Sequence, residues 1–109
     1  MKRGDVVIIV ASGELGKPRP AIVVQADELG ETTTSVLICP ITSETNEFRN
    51  IRPVVEPDAH NGLRSRSQIM TNKVSALRRD RIKQVIGKLD DDTSSKLDRA
   101  LLVVFGLAR

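Results

Sequence analysis

Five residues, Gly16-Lys17-Pro18-Arg19-Pro20, join two short apolar runs: Val6-Val7-Ile8-Ile9-Val10 before them and Ala21-Ile22-Val23-Val24 after. Each run is rich in β-branched residues and bounded by Gly or Pro, which is the pattern of a buried strand. Proline fixes φ and pushes the residue before it toward extended geometry, so Lys17 and Arg19 are both stiffly held. An arginine with little backbone freedom at the mouth of a strand suits a phosphate, because its planar fork donates two hydrogen bonds at once. The same stretch also reads as a solvated turn carrying two surface charges.

The core that such strands bury has to be aliphatic. Apolar residues make up 39% of the 109 positions but aromatics only 2%, with two Phe and neither Tyr nor Trp. That removes the stacking platforms on which many single-strand RNA modules rely. A chain of this length reads as one domain over 1–109, large enough to fold without metal or disulfide support. The lone Cys39 excludes a disulfide framework and a cysteine-built metal site, and the lone His60 excludes a histidine pair. No metal and no cofactor is expected. No apolar run approaches a membrane span, and Met1-Lys2-Arg3 meets Asp5 too soon for a signal peptide, so the chain reads as cytoplasmic.

Charge is unevenly spread. Residues 49–83 hold nine Lys or Arg against three Asp or Glu, while residues 90–109 hold three cations and four acids. A basic middle and a slightly acidic end point to one face that meets polyanions.

In chain order, strands are expected over residues 6–10, 20–25 and 32–39, the last ended by Pro40, with loops at 11–20 and 41–50. Pro53 places residues 51–56 on an edge strand, and 57–63 is turn-rich. Residues 67–71 and 73–77 read as two strands or one bent strand, and Arg78-Arg79-Asp80-Arg81 as a turn. Ile82, Val85, Ile86 and Leu89 fit a helical period as well as a strand. The end is clearer: Asp90 caps a helix, Asp91 and Asp92 suit its first turn, and Leu97, Ala100, Leu101 and Val104 form one apolar stripe closed by Gly106. Short strands followed by one helix predict a mainly β (α+β) fold, a small barrel with a helix packed on it.

Taken together, Arg3-Gly4-Asp5-Val6-Val7, Gly16-Lys17-Pro18-Arg19-Pro20-Ala21, Pro40-Ile41-Thr42-Ser43, Asn61-Gly62-Leu63 with Ser67, and Arg81-Ile82 with Ile86-Gly87-Lys88-Leu89 resemble the MazF/PemK toxins of bacterial toxin–antitoxin pairs. The closing Leu97-Asp98, Ala100-Leu101 and Phe105-Gly106-Leu107 match the terminal helix of that family. The resemblance spans essentially the whole chain in order. It implies an SH3-like barrel of the CcdB/PemK type, a homodimer, and a sequence-specific, metal-independent endoribonuclease that cleaves single-stranded RNA and is silenced by an acidic cognate antitoxin.

By that resemblance Arg19 matches the catalytic arginine, and Thr42 with Ser43 the catalytic threonine region. Physically, Arg19 suits developing negative charge but is a poor base, and Thr42 can donate to a phosphate oxygen. Further RNA contacts are expected from Lys17, Ser43, Arg64, Arg66, Ser67, Gln68 and Lys73, with Ser67 the more structural of these. His60 reads as a loop residue, and Glu14 is a possible base that nothing in the sequence places. The chain departs from the family where many members carry an acidic-Gln pair after the fifth strand, since Asn72 and Lys73 stand there and Asn72 cannot accept a proton. Two function classes stay open from the residues. One is the ribonuclease; the other is a non-catalytic toxin of the same fold that poisons DNA gyrase, or an inactive RNA-binding relative. The Gly16-to-Pro20 and Pro40-to-Ser43 stretches favour the nuclease.

Overall fold

A computed structural model of the chain describes residues 1–10, 17–45, 48 and 50–108. Among these residues seven strands, β1 (Asp5–Val10), β2 (Pro18–Val23), β3 (Ser35–Thr42), β4 (Val54–Val55), β5 (Ser67–Ile69), β6 (Ser75–Arg78) and β7 (Ile82–Lys88), precede one α-helix, α1 (Asp91–Val104). The strands form a curled antiparallel sheet in the order β4-β5-β3-β2-β1-β7, with β6 on the outer flank of β3. This is a strand-rich half-barrel with one C-terminal helix, the expected class.

The apolar runs are continuous because both faces of the sheet are buried. Val6, Ile22, Cys39, Ile41 and Ile69 project to one side, where Leu97 and Leu101 of α1 cover them. The alternate residues Val7, Ile9, Ala21, Val23, Val36 and Ile38 form a second cluster, against which Leu77 and Ile82 pack. Leu97 is fully buried, and truncating such a side chain to Ala costs about 2–5 kcal/mol.

Several strand boundaries differ from expectation, and two of the differences involve proline. β2 begins at Pro18 rather than Pro20, so Arg19 is a strand residue paired with Ile9, not a loop residue. The prolines are tolerated because β3 pairs only with Ala21–Val23, leaving no ladder for Pro18 or Pro20 to break on that side. β3 starts at Ser35 rather than Thr32 and runs through Pro40 to Thr42. Its missing N–H falls where the strand changes partner, from β6 over Ser35–Ile38 to β5 at Ile41 and Thr42, while the Pro40 carbonyl accepts from Met70 N at 2.9 Å.

The remaining ambiguities resolve. β5 and β6 are separate strands joined by a 3₁₀ turn over Thr71–Lys73, and a second such turn covers Arg79–Arg81. Residues 82–88 are a strand. Val6 and Val7 pair with Gly87 and Val85, and Ile8 and Ile9 with Gln84 and Ile82, so Ile86 and Lys83 are each extra residues in β7. Two bulges break the alternation and give the apolar residues a helix-like spacing. α1 is as expected: Asp90 accepts from Thr93 N at 2.7 Å, and Gly106 at φ +73° closes a Schellman turn through Gly106 N to Val103 O and Leu107 N to Leu102 O.

Candidate active site

One cleft of about 770 Å³ opens beside the sheet, and five separate stretches of sequence build it. The start of β2 brings Arg19; the end of β3 brings Thr42, Ser43 and Glu44; the turn before β5 brings Leu63 and Arg64; β5 itself brings Ser67. Ile8, Ile41 and Ile86 supply an apolar floor, so a polar ligand there meets cations and hydroxyls above greasy walls. Thr42 is held at the strand end because its Oγ1 accepts from Glu44 N at 3.2 Å.

The wall formed by residues 61–65 is fixed by an asparagine that sequence reasoning treated only as part of a motif. Asn61 is 1% exposed; its Oδ1 accepts from Leu63 N at 3.0 Å and its Nδ2 donates to Glu56 O at 2.9 Å. Gly62 follows at φ +71°, lying against the Ile86 carbonyl, and a Cβ on Gly87 would sit 2.3 Å from His60 O. The loop and β7 therefore approach as closely as two backbones can, which is why glycine stands at both positions.

The structure brings together five of the residues singled out from sequence: Arg19, Thr42, Ser43, Arg64 and Ser67. The Ser67 hydroxyl donates to Ser65 O at 2.9 Å, in keeping with a structural part. Lys17 is exposed immediately before β2 but does not line the cleft, and neither do Arg66 or Lys73. Arg66 faces Glu56, with Nε 3.4 Å from Oε2. Gln68 corrects an expectation: its side chain is fully buried rather than presented for contact, because β5 runs between β3 and β4. Asn72 stands outside the cleft, its Oδ1 accepting from Arg52 Nε at 2.9 Å. Gly16 and Glu14 lie outside the described residues, as does part of the 41–50 loop.

Sequence reasoning missed Glu44, the one carboxylate among the described residues that line the cleft. Its signal was there: it lies two positions after Thr42. Burial pushes the Cys39 thiol up to about 12, with nearby Arg3 pulling slightly the other way, so it is no nucleophile at neutral pH. Among the described residues no three His, Cys, Asp or Glu side chains gather as a metal site requires.

Fold and cleft together define a strand-rich protein with a cleft lined by two arginines and several hydroxyls. A family model described as the PemK-like, MazF-like toxin of type II toxin–antitoxin systems matches residues 2–105, and the chain belongs to that family. It is 35% identical to a probable endoribonuclease MazF of Mycolicibacterium smegmatis, over 99% of each chain. Its fold is similar to that of the Mycobacterium tuberculosis toxin MazF-mt6 (TM-score 0.82, 21% identity, 96% of this chain and 99% of that one). It is also similar to a mycobacterial endoribonuclease solved in complex with its cognate antitoxin (TM-score 0.80, 18% identity, 100% and 98% covered).

Proposed function

We propose that this protein is a sequence-specific, metal-independent endoribonuclease, the toxin of a toxin–antitoxin pair, that cleaves single-stranded RNA in the cytoplasm. The observation that carries the reading is the convergence of Arg19 with Thr42 and Ser43, from different strands, on one cleft. Arg19 and Arg64 hold the scissile phosphate. The 2′-oxygen attacks phosphorus and the bond from phosphorus to the 5′-oxygen breaks, leaving a 2′,3′-cyclic phosphate and a 5′-hydroxyl. Negative charge grows on the non-bridging oxygens in between, where fixed donors act most strongly. Arg19 and the Thr42 hydroxyl are those donors. The 2′-hydroxyl proton passes to a carboxylate, either Glu44 in the cleft or Glu14 in the preceding loop, and the 5′-oxygen takes its proton from water. Replacing each acid by Gln tells them apart.

The working unit in this reading is a homodimer of single toxin domains, and an acidic cognate antitoxin silences it by occupying the RNA groove. Cleavage of a long synthetic RNA in EDTA tests the reading. Wild-type protein cuts; Arg19→Ala and Thr42→Ala each lose on the order of a hundredfold in rate or more. Arg19 is exposed, and a contact at an exposed side chain contributes about 0–1 kcal/mol, so its variant should stay folded with at most a small drop in melting temperature. Wild-type protein that leaves RNA intact under these conditions returns the chain to the gyrase-directed or inactive alternatives, and full activity in Arg19→Ala removes the central assignment.

A further inference from the structure

Gln68 is 0% exposed, yet among the described residues neither its Oε1 nor its Nε2 has a hydrogen-bond partner. An amide offers two donors and an oxygen with two lone pairs, and leaving them unmade in a buried place works against folding. A methionine fills the same length without that cost. Something other than stability accounts for an amide at this position, and strand register shows what it stands beside. Gln68 pairs directly with Thr42 of β3 on one side and with Val54 of β4 on the other. Paired residues of antiparallel strands project from the same face within reach of each other, so the Gln68 amide and the Thr42 side chain are immediate neighbours.

We propose that Gln68 is a positioning residue for Thr42, donating from Nε2 to Thr42 Oγ1 once a phosphate occupies the cleft. The inference rests on the assignment of Thr42 to phosphate above. A threonine hydroxyl has two acceptor positions and one proton. Glu44 N–H already takes one acceptor position at 3.2 Å. An amide N–H on the second leaves the hydroxyl proton a single direction, toward the anionic oxygen. Thr42 then acts as a fixed donor, which is the property that makes such groups effective. Bonds of this kind are often open in the empty enzyme and close only on the substrate, consistent with an unpartnered amide here.

The test uses full-length Gln68→Met, with Gln68→Leu as a second apolar replacement should the first fail to fold. The substrate is a long synthetic RNA whose cleavage sites have been mapped with wild-type protein. We expect kcat to fall about tenfold to a hundredfold with KM little changed, while the melting temperature stays level or rises by several degrees. Placed in a Thr42→Ala background, Gln68→Met should lower the residual single-turnover rate no further. A normal kcat with a lowered melting temperature would mean that the amide is structural, and would overturn the proposal. An altered set of cleavage sites with a raised KM would overturn it too, making Gln68 a reader of bases. Loss of kcat in Gln68→Met that persists in full on top of Thr42→Ala also sinks it. If Thr42→Ala itself cleaves normally, the underlying site reading fails, and that result is distinct from each of these.

Discussion

Arg52 holds a permanent charge at 8% exposure, and among the described residues it has no carboxylate in ion-pair range. Its Nε donates to Asn72 Oδ1 at 2.9 Å and its guanidinium lies 5.1 Å from the Phe48 ring centre. A neutral amide thus fills the place where a carboxylate would make the bond charged on both sides. That explains the departure at Asn72 in structural rather than catalytic terms, because the residue addresses Arg52 and not the cleft. Asn72→Asp should therefore stabilise the protein by about 1 kcal/mol, the margin between a hydrogen bond charged on one side and one charged on both. Chemical denaturation of the two proteins measures it, and RNA cleavage should be unaltered. A variant that is less stable, or that cleaves faster, would show that Asn72 does something else. Arg19 and Thr42 were legible in the sequence as cleft residues, through side-chain type, neighbouring prolines and the family resemblance. Gln68 was not, since polarity alone suggests a surface and only the strands on either side reveal that it is sealed.

The helix was the most legible element for a local reason: cap, first-turn acids, stripe and closing glycine all lie within residues 90–106. Strand ends and β7 were less so, because proline tolerance and bulges depend on which neighbour lies alongside. The cap itself makes a pH prediction. Hydrogen bonds from the Thr93 side chain and backbone hold the Asp90 carboxyl below its ordinary value of 3.8. A carboxyl whose folded value is lowered contributes stability above the unfolded value and loses it as pH falls through the folded one. Asp90→Ala should thus melt below wild type at neutral pH, and the gap should close as pH is taken from about 5 to about 2. Asp90→Asn, which keeps the accepting oxygen, should retain most of the capping at neutral pH. A gap between Asp90→Ala and wild type that is constant over this range would mean that the cap works through something other than its charge.

As a whole molecule the protein carries its basic middle segment near a cleft too small for more than a short stretch of RNA, and it leaves Leu102, Val103, Phe105 and Leu107 exposed at one end of α1. Exposed apolar side chains grouped on a small domain favour association, and the proposed homodimer gives two clefts to one RNA strand. Light scattering at micromolar concentration should return twice the 12.0 kDa chain mass, and a strictly monomeric mass would refute the dimer. The polyanion reading makes a separate demand. RNA affinity should fall with salt at a log–log slope of about −0.7 for each single-strand phosphate neutralised. Arg64→Ala, at the cleft, should flatten that slope by roughly one contact. Lys73→Ala, away from the cleft, should do so only if the bound strand continues past the site. An antitoxin that silences the enzyme through the same cations must share this dependence: its affinity weakens with salt in parallel, and at saturation it displaces the RNA. An antitoxin that binds tightly in high salt and leaves RNA affinity untouched would have to inhibit from another surface, and the cleft would then belong to the RNA alone.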